Sequence, residues 1–232
     1  MYAKFFKRLL DFFLSLTALA VLSPVLLILI IVGAIAMRGN PFFTQKRPGK
    51  ICKKTGKEKI FRLVKFRTMS NKRDHDGKLL PDHVRLNKYG RILRSTSLDE
   101  LPELFNILKG DMALVGPRPQ LVRDMTFMSE EQRRRHSIRP GLTGLAQING
   151  RNSITWEQKF EYDLQYINEG VTFFGDIKII FGTFGKVLKR SDTVREGTAS
   201  DLDFGDWLMM EGKVDQETYD AKQEEAKALL EV

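Results

Sequence analysis

The sequence predicts a mostly helical α+β domain that carries a short β-sheet and follows an N-terminal membrane segment. Three observations support this fold class. Residues 12–37 contain no charged side chain. Two β-rich segments follow this apolar run, and helix-forming stretches then alternate with short loops. The chain has 232 residues, which is enough for one catalytic domain with a buried core and a membrane element.

The apolar run is long enough to span a bilayer core of roughly 30 Å. Basic residues flank it on both sides, and positive charge beside a membrane helix stays on the cytoplasmic side. Pro24 removes one helical hydrogen bond, and the hydroxyl of Ser23 can satisfy the carbonyl that is released. We therefore predict a re-entrant helix–break–helix over residues 1–38 with both ends cytoplasmic. A kinked straight span is the alternative.

The elements after the membrane segment follow from hydrophobic periodicity and turn residues. Before residue 120 they are, in chain order, strands at 42–46 and 59–69, a polar loop at 70–83, a basic helix at 84–94, a helix at 98–109 closed by Gly110, a strand at 113–115 and a rigid turn at 116–119. After residue 120 they are a capped short helix at 129–136, a Gly-rich loop or short strand at 138–151, a capped helix at 155–168 and an amphipathic helix at 175–189. The amphipathic helix either lies on the membrane surface or packs against the core.

Charge divides the chain into a basic body and an acidic end. Residues 1–196 hold 35 Lys and Arg against 19 Asp and Glu, whereas residues 197–232 hold 3 against 10. A basic body favours an anionic partner such as a membrane surface, a phosphate-bearing substrate or nucleic acid. We therefore divide the chain into a membrane segment (1–38), a cytosolic domain (39–196) and an acidic tail (197–232). The tail either packs on the body or contacts a partner.

Several common kinds of chemistry are excluded. A single cysteine, Cys52, cannot form an internal disulfide framework, and the three histidines lack metal-ligand spacing. The sequence contains no Walker loop, no GxGxxG and no GxSxG segment. RNA-type aromatic motifs are also absent, so we expect no nucleic-acid partner.

Two adjacent carboxylates, Asp99 and Glu100, stand at the start of the predicted helix 98–109. Acids at helix starts are usually caps. Either Ser97 is the N-cap and Glu100 completes a capping box, or Asp99 is the N-cap and Pro102 lies in the first turn. In both arrangements the helix dipole favours ionised carboxylates. Two adjacent acids exceed what capping needs, and phosphoryl transfer can use one carboxylate as nucleophile and the other to hold Mg²⁺.

Phosphoryl transfer also needs cations that bind phosphate oxygens. The candidates are Lys65, Arg67, Arg94, Arg118 and Arg151. Arg118 lies between two prolines, which restrict the backbone and orient the guanidinium. A basic membrane-anchored module that binds anionic lipid or nucleic acid without catalysis is the competing hypothesis.

The sequence resembles the monotopic phosphoglycosyl transferases, the bacterial sugar transferases, over about residues 1–196. Several long motifs in the same order carry the likeness. They are residues 43–49 (Phe-Thr-Gln-Lys-Arg-Pro-Gly), 65–69 (Lys-Phe-Arg-Thr-Met), 94–111, 114–119 (Leu-Val-Gly-Pro-Arg-Pro) and 139–151, continued by Asp163, Tyr166 and Asp176.

This resemblance implies a covalent two-step transfer. Asp99 matches the family's nucleophile, which attacks the β-phosphorus of a UDP-sugar and releases UMP. Glu100 matches the acid associated with Mg²⁺. Ser23 and Pro24 match the break in a re-entrant membrane helix. Three further residues fall in motifs near the family's active site and are expected to bind the substrate: Lys65, Arg118 and Asp163.

The resemblance also implies partners and location. The acceptor would be undecaprenyl phosphate at the cytoplasmic face of the bacterial inner membrane, and downstream glycosyltransferases are further expected partners. Residues 149–152 and 187–191 are similar to members that load diacetylbacillosamine phosphate in protein glycosylation. An N-acetylated amino sugar is therefore the expected cargo, with a simple hexose, GlcNAc or GalNAc as the alternative. The acidic tail departs from the minimal members.

Overall fold

The computed structural model describes residues 2–150, 154–189 and 202–231. They form a mostly helical α+β molecule with small sheets, which confirms the predicted fold class. The helices are α1 (Lys7–Met37), α2 (Asp82–Arg85), α3 (Lys88–Thr96), α4 (Glu103–Lys109), α5 (Val122–Met125), α6 (Glu130–Arg133), α7 (Leu145–Asn149), α8 (Trp156–Asn168), α9 (Phe173–Lys189), α10 (Phe204–Met210) and α11 (Gln216–Glu231). The strands are β1 (Phe42–Ile51), β2 (Glu58–Phe66), β3 (Ala113–Val115) and β4 (Gly141–Thr143).

Helix α1 is continuous through Pro24, which corrects the expected break into two separate arms. Pro24 lacks the N–H that would bond to the carbonyl of Ala20. The hydroxyl of Ser23 donates to that carbonyl instead, at 2.8 Å, as the sequence predicted. Because the released carbonyl is satisfied, the helix continues past the proline. The re-entrant path through a membrane stays a prediction.

One face of α1 packs against the body along nearly its whole length. Its buried positions recur at helical spacing: Lys7, Asp11, Ser15, Leu19, Leu26 and Gly33. The opposite face exposes apolar side chains, including Val21 and Ile35, each more than two-thirds exposed. Within the described residues, α1 is the one helix long and apolar enough to cross a membrane.

Both ends of α1 contact the same body. Near its start, the Arg8 guanidinium donates to the carbonyls of Ile107 and Leu108 at 2.6 and 2.8 Å. Near its end, the carbonyl of Ala36 accepts from the side-chain amide of Asn87 at 3.4 Å. The helix therefore lies along the domain and does not project away from it.

Two small sheets hold the domain together. Strands β1 and β2 form an antiparallel hairpin in which Lys65 pairs with Phe43. Strands β3 and β4 pair in parallel. Their close approach requires glycine, because a Cβ added at Gly141 would lie 2.1 Å from the backbone nitrogen of Gly116. The turn that follows β3 is fixed at this contact.

Other elements follow the sequence closely. The capping boxes predicted at Ser129 and Thr155 are both present. The basic helix begins later than predicted, at Lys88, because Asn87 caps it. The Gly-rich segment contains β4 and then α7. Helix α9 packs against the body on one side, while its opposite side exposes aromatic rings such as Phe174 and Phe181.

The described part of the acidic tail is folded and packs on the body. Phe204 of α10 joins a buried cluster with Trp156, Phe160 and Met128. The carboxylate of Asp124 in α5 accepts from the backbone N–H of Phe204 at 2.8 Å. Of the two roles left open by the sequence, packing on the basic body is the one seen.

Candidate active site

One buried side chain, Asn106, fixes helix α4 against strand β2. Its amide oxygen accepts from the backbone N–H of Val64 at 3.0 Å, and its amide nitrogen donates to the carbonyl of Arg62 at 2.7 Å. Both hydrogen bonds go to the strand backbone, so the helix and strand cannot slide past each other. This arrangement brings Lys65, at the end of β2, to the segment that precedes α4.

That segment differs from the predicted helix start. Ser97 ends α3 in a left-handed conformation with φ of 55°, Leu98–Glu100 form a 3₁₀ turn, and Pro102 occupies the N-cap position of α4. Helix α4 has no side-chain cap. Both capping alternatives are therefore wrong. The argument that a helix dipole favours ionised Asp99 fails with them, because the residue precedes a separate short helix.

Carboxylate and cationic side chains form ion pairs at this turn. Glu100 accepts from the Lys65 ammonium at 3.0 Å and from the Arg118 guanidinium. Lys65 also lies 3.0 Å from an oxygen of Glu103, which is only 1% exposed. Burial raises the pKa of Glu103, while Lys65 opposes that shift. Lys65 thus holds two carboxylates that follow Asp99 in the chain.

Asp99 has different surroundings from its neighbour. Its side chain is half-buried, and within the described residues its carboxylate makes no hydrogen bond or ion pair. Burial raises its pKa, the charge of Glu100 raises it further, and Lys65, Arg94 and Arg118 oppose the rise. An uncommitted carboxylate among cations is an arrangement that suits attack on a phosphate group.

A buried ion pair positions Arg118 from behind. Arg135 is 1% exposed and donates to the carboxylate of Asp163 at 2.6 and 2.9 Å. It also donates to the backbone carbonyl of Arg118 at 2.7 Å. On the other side, Arg47 donates to the carbonyl of Pro119 at 3.3 Å. Asp163 therefore reaches the site through Arg135 and the Arg118 backbone, whereas the sequence placed it at the substrate.

The other cations that were predicted to bind phosphate differ in their position relative to the site. Arg94 joins the site from the last turn of α3, where its Nε donates to the hydroxyl of Thr68 at 3.1 Å. Gly90 permits this contact, because a Cβ there would lie 1.9 Å from the carbonyl of Thr68. Within the described residues no ion pair joins Arg67 to the carboxylates. Arg151 lies outside the described residues.

Sequence reasoning missed four residues that build the site: Arg47, Glu103, Asn106 and Arg135. Glu103 carried a signal, since it stands four residues after Asp99 and such positions share a helix face. Arg47 also lay within the motif at residues 43–49. In the structure, burial lowers the pKa of the Arg47 guanidinium to about 10, and repulsion from Arg118 adds to this effect. Asn106 and Arg135 had no local signal, because their contacts are distant in sequence.

Comparison with known proteins identifies a family that this chain resembles over most of its length. A sequence profile described as bacterial sugar transferase matches residues 2–190, a stretch that ends before α10 and α11. EpsL of Bacillus subtilis, named an uncharacterized sugar transferase, is 48% identical over 78% of this chain and 87% of its own length.

Two longer relatives carry more specific names. UDP-glucose:undecaprenyl-phosphate glucose-1-phosphate transferase of Klebsiella pneumoniae is 39% identical over 78% of this chain and 40% of its own length. UDP-N-acetylgalactosamine-undecaprenyl-phosphate N-acetylgalactosaminephosphotransferase of Aeromonas hydrophila is 32% identical over 79% of this chain and 44% of its own length. The chain thus spans about two-fifths of these two relatives.

Proposed function

The chain belongs to the bacterial sugar transferase family, and on this premise we propose that it moves a sugar 1-phosphate from a UDP-sugar to undecaprenyl phosphate. The observation that carries the proposal is the half-buried, uncommitted carboxylate of Asp99 beside Lys65, Arg94 and Arg118. The relatives named for transfer to undecaprenyl phosphate support the donor and acceptor classes.

In the first step, an oxygen of Asp99 attacks the β-phosphorus of the donor. A bond forms between that oxygen and phosphorus, and the bond from the β-phosphorus to the bridging oxygen of the α-phosphate breaks. UMP leaves with the electron pair, and the sugar phosphate remains on Asp99 as an acyl phosphate. Arg118 and Lys65 stabilise the negative charge that moves onto the phosphate oxygens.

In the second step, a phosphate oxygen of undecaprenyl phosphate attacks the phosphorus of this intermediate. The bond from phosphorus to Asp99 breaks, so the carboxylate is restored and undecaprenyl diphosphate-sugar is released. The same cations serve both steps, because the phosphorus stays in one place while the attacking and leaving groups exchange. The apolar helix α1 would keep the lipid acceptor near the site.

The site suits a Mg²⁺ ion that is coordinated by oxygen atoms of both the protein and the substrate. The ion prefers oxygen ligands, keeps several waters and binds through one or two carboxylates together with substrate phosphates. Glu100 offers such a carboxylate beside Asp99, and no group of three or more His, Cys, Asp or Glu side chains in the described residues could hold a metal alone. When bound, Mg²⁺ would neutralise charge on the diphosphate. Full activity after chelation by EDTA would remove the ion from the proposal.

The identity of the transferred sugar is the more specific part of the proposal. We retain an N-acetylated amino sugar such as diacetylbacillosamine as the expected cargo, in a glycoconjugate pathway of the protein-glycosylation type. Relatives named for glucose or N-acetylgalactosamine keep those donors as alternatives. A panel of UDP-sugars, with UMP release as the measurement, separates these donors.

Substitution of the nucleophile tests the reaction. We expect Asp99→Asn to lower UMP release by at least about a thousandfold, because an amide cannot form the acyl phosphate. The matched control is Asp82→Asn, which removes a partly exposed carboxylate paired with Arg85, outside the site. Substantial UMP release by Asp99→Asn would exclude Asp99 as the nucleophile.

Intact-mass measurement tests the covalent step separately. Wild-type protein mixed with the donor alone and quenched rapidly should gain the mass of the phosphosugar, and Asp99→Asn should not. The added mass also reports which sugar was accepted. Turnover without any adduct would favour direct transfer in a ternary complex.

A further inference from the structure

A basic cavity lies near the turn of the β1–β2 hairpin, away from Asp99. Its volume is about 260 Å³, and its charged lining consists of Lys50, Lys59, Arg139 and Asp111. Lys59 and Lys65 stand six residues apart on β2, which corresponds to about 20 Å along the strand. The cavity is therefore separate from the proposed phosphoryl-transfer site.

The positive charge of this cavity is only partly balanced by carboxylates. Its one carboxylate, Asp111, is paired with Lys59 at 2.9 Å and with Lys109 at 3.3 Å. Within the described part of the chain, no carboxylate forms an ion pair with Lys50 or Arg139. Arg139 uses its Nε to donate to the carbonyl of Gly110 at 2.8 Å.

Burial and neighbouring positive charge lower the pKa of both cations. Burial lowers the pKa of Lys50, and the charge of Arg139 lowers it further. Burial also lowers the pKa of Arg139, and Arg8 adds to that effect, while Asp11 and Asp111 oppose it. Half-buried cations that repel one another are stabilised when an anion binds between them.

The cavity adjoins the start of α1. The carbonyl that holds Arg139 belongs to Gly110, and a Cβ added at Gly110 would lie 3.1 Å from the guanidinium of Arg8. Arg8 precedes the uncharged run by one helical turn, since that run begins at Phe12. Basic groups at this position beside a membrane helix lie at the depth of lipid headgroups.

We propose that this cavity binds the phosphate of an anionic phospholipid headgroup. The guanidinium of Arg139 can donate to phosphate oxygens, while Lys50 and Lys59 act as point charges. Binding would hold the start of α1 at the membrane surface. The proposal rests on the membrane location of α1 and does not depend on chemistry at Asp99, so either can fail alone.

Lipid titration of the full chain in detergent, followed by native mass spectrometry, tests the site. The titrants are phosphatidylglycerol, phosphatidylcholine and inorganic phosphate. The test variant is Lys50→Ala/Lys59→Ala. The control variant, Lys54→Ala/Lys57→Ala, removes the same charge from exposed positions of the same hairpin that do not line the cavity.

We expect wild type and the control variant to retain one phosphatidylglycerol at concentrations where phosphatidylcholine is lost. The test variant should bind phosphatidylglycerol about tenfold more weakly while it keeps the circular dichroism spectrum of the wild type, and Lys50→Arg/Lys59→Arg should restore binding. Equal weakening in both alanine variants would reduce the cavity to part of a diffuse basic surface and overturn the proposal. Selective loss of inorganic phosphate, without loss of the lipid, would overturn the lipid assignment.

Discussion

Asp99 and Glu100 are adjacent in sequence, but their different environments suit them to different roles in the reaction. Glu100 is nearly buried and is held by Lys65 and Arg118. Asp99 is more exposed, and its carboxylate has no such partner among the described residues. A paired carboxylate is a poor nucleophile because its lone pairs are engaged, whereas an unpaired one can approach phosphorus. We therefore assign attack to Asp99 and charge organisation to Glu100.

The raised pKa of Asp99 has a consequence for the pH profile of UMP release. Attack needs the ionised carboxylate, so activity is present above the folded-state pKa and lost as the pH falls through it. Glu100→Gln removes a negative charge that raises this pKa, so the acid limb should move to lower pH, although the rate falls. Arg118→Gln removes an opposing positive charge and should move the limb to higher pH.

Profiles of kcat/KM against pH for the two variants provide the measurement. The absolute rates of both variants will be reduced, so the position of the acid limb is the informative quantity. If both variants moved the limb in the same direction, the electrostatic account of Asp99 would be wrong.

The sequence predicted which residues form the site better than it predicted the contacts that they make. Lys65, Arg94 and Arg118 were expected as phosphate-binding cations, and the structure places them around Asp99. Asp163 was expected at the substrate but is buried beneath Arg135. Spacing along the chain shows which residues share a helix face. It does not show that residues 28 apart form a buried ion pair.

At the scale of elements, prediction succeeded where capping is local and failed where packing decides. Thr155 caps α8 as expected, because the capping box involves residues within one turn. The start of α4 could not be foreseen. The side chain of Asn106 fixes the helix against β2, and the chain reaches it through Ser97 in a left-handed conformation.

The tail helix α10 forms a second support behind Arg118. The ring of Phe204 lies 5.1 Å from that of Phe160, centroid to centroid. The ring of Phe160 in turn lies 5.8 Å from the guanidinium carbon of Arg135. Arg135 donates to the backbone of Arg118. A continuous series of contacts thus runs from the acidic tail to a cation of the proposed site.

Phe204→Ala should therefore weaken both tail docking and catalysis. We expect a loss of about 3–5 kcal/mol in docking, because a buried ring is replaced by a methyl group. The chain has two tryptophans, and both Trp156 and Trp207 pack in this cluster. Intrinsic fluorescence therefore reports docking directly, and we expect its emission to shift to longer wavelength while kcat for UMP release falls.

Phe184→Ala is the matched control, since Phe184 is 62% exposed on α9 and lies outside the cluster. In detergent this control should leave both tryptophan emission and UMP release unchanged. An emission shift in Phe204→Ala with unchanged kcat would limit the tail to a stabilising role and would remove it from the support of Arg118.

For the whole molecule, the path of α1 is the feature with the largest consequence. Its 31 residues correspond to a straight length of about 46 Å, more than a bilayer core of roughly 30 Å. A helix that crosses the bilayer carries its two ends to opposite faces. Here Arg8 and Ala36, near opposite ends of α1, both bond to the same body. A body that contacts both ends cannot sit on one face of a membrane that the straight helix crosses.

We therefore expect both ends of α1 on the cytoplasmic side, as the flanking basic residues also indicate. Single cysteines at Ala3→Cys or Asn40→Cys, each in a Cys52→Ser background, test this with a membrane-impermeant maleimide. Both sites are exposed, so burial in the protein does not limit labelling. Inside-out vesicles should label at both positions, and intact spheroplasts at neither. Labelling of either position in intact spheroplasts would mean that α1 crosses the membrane, and the contacts at one of its ends would then have to be absent in the cell.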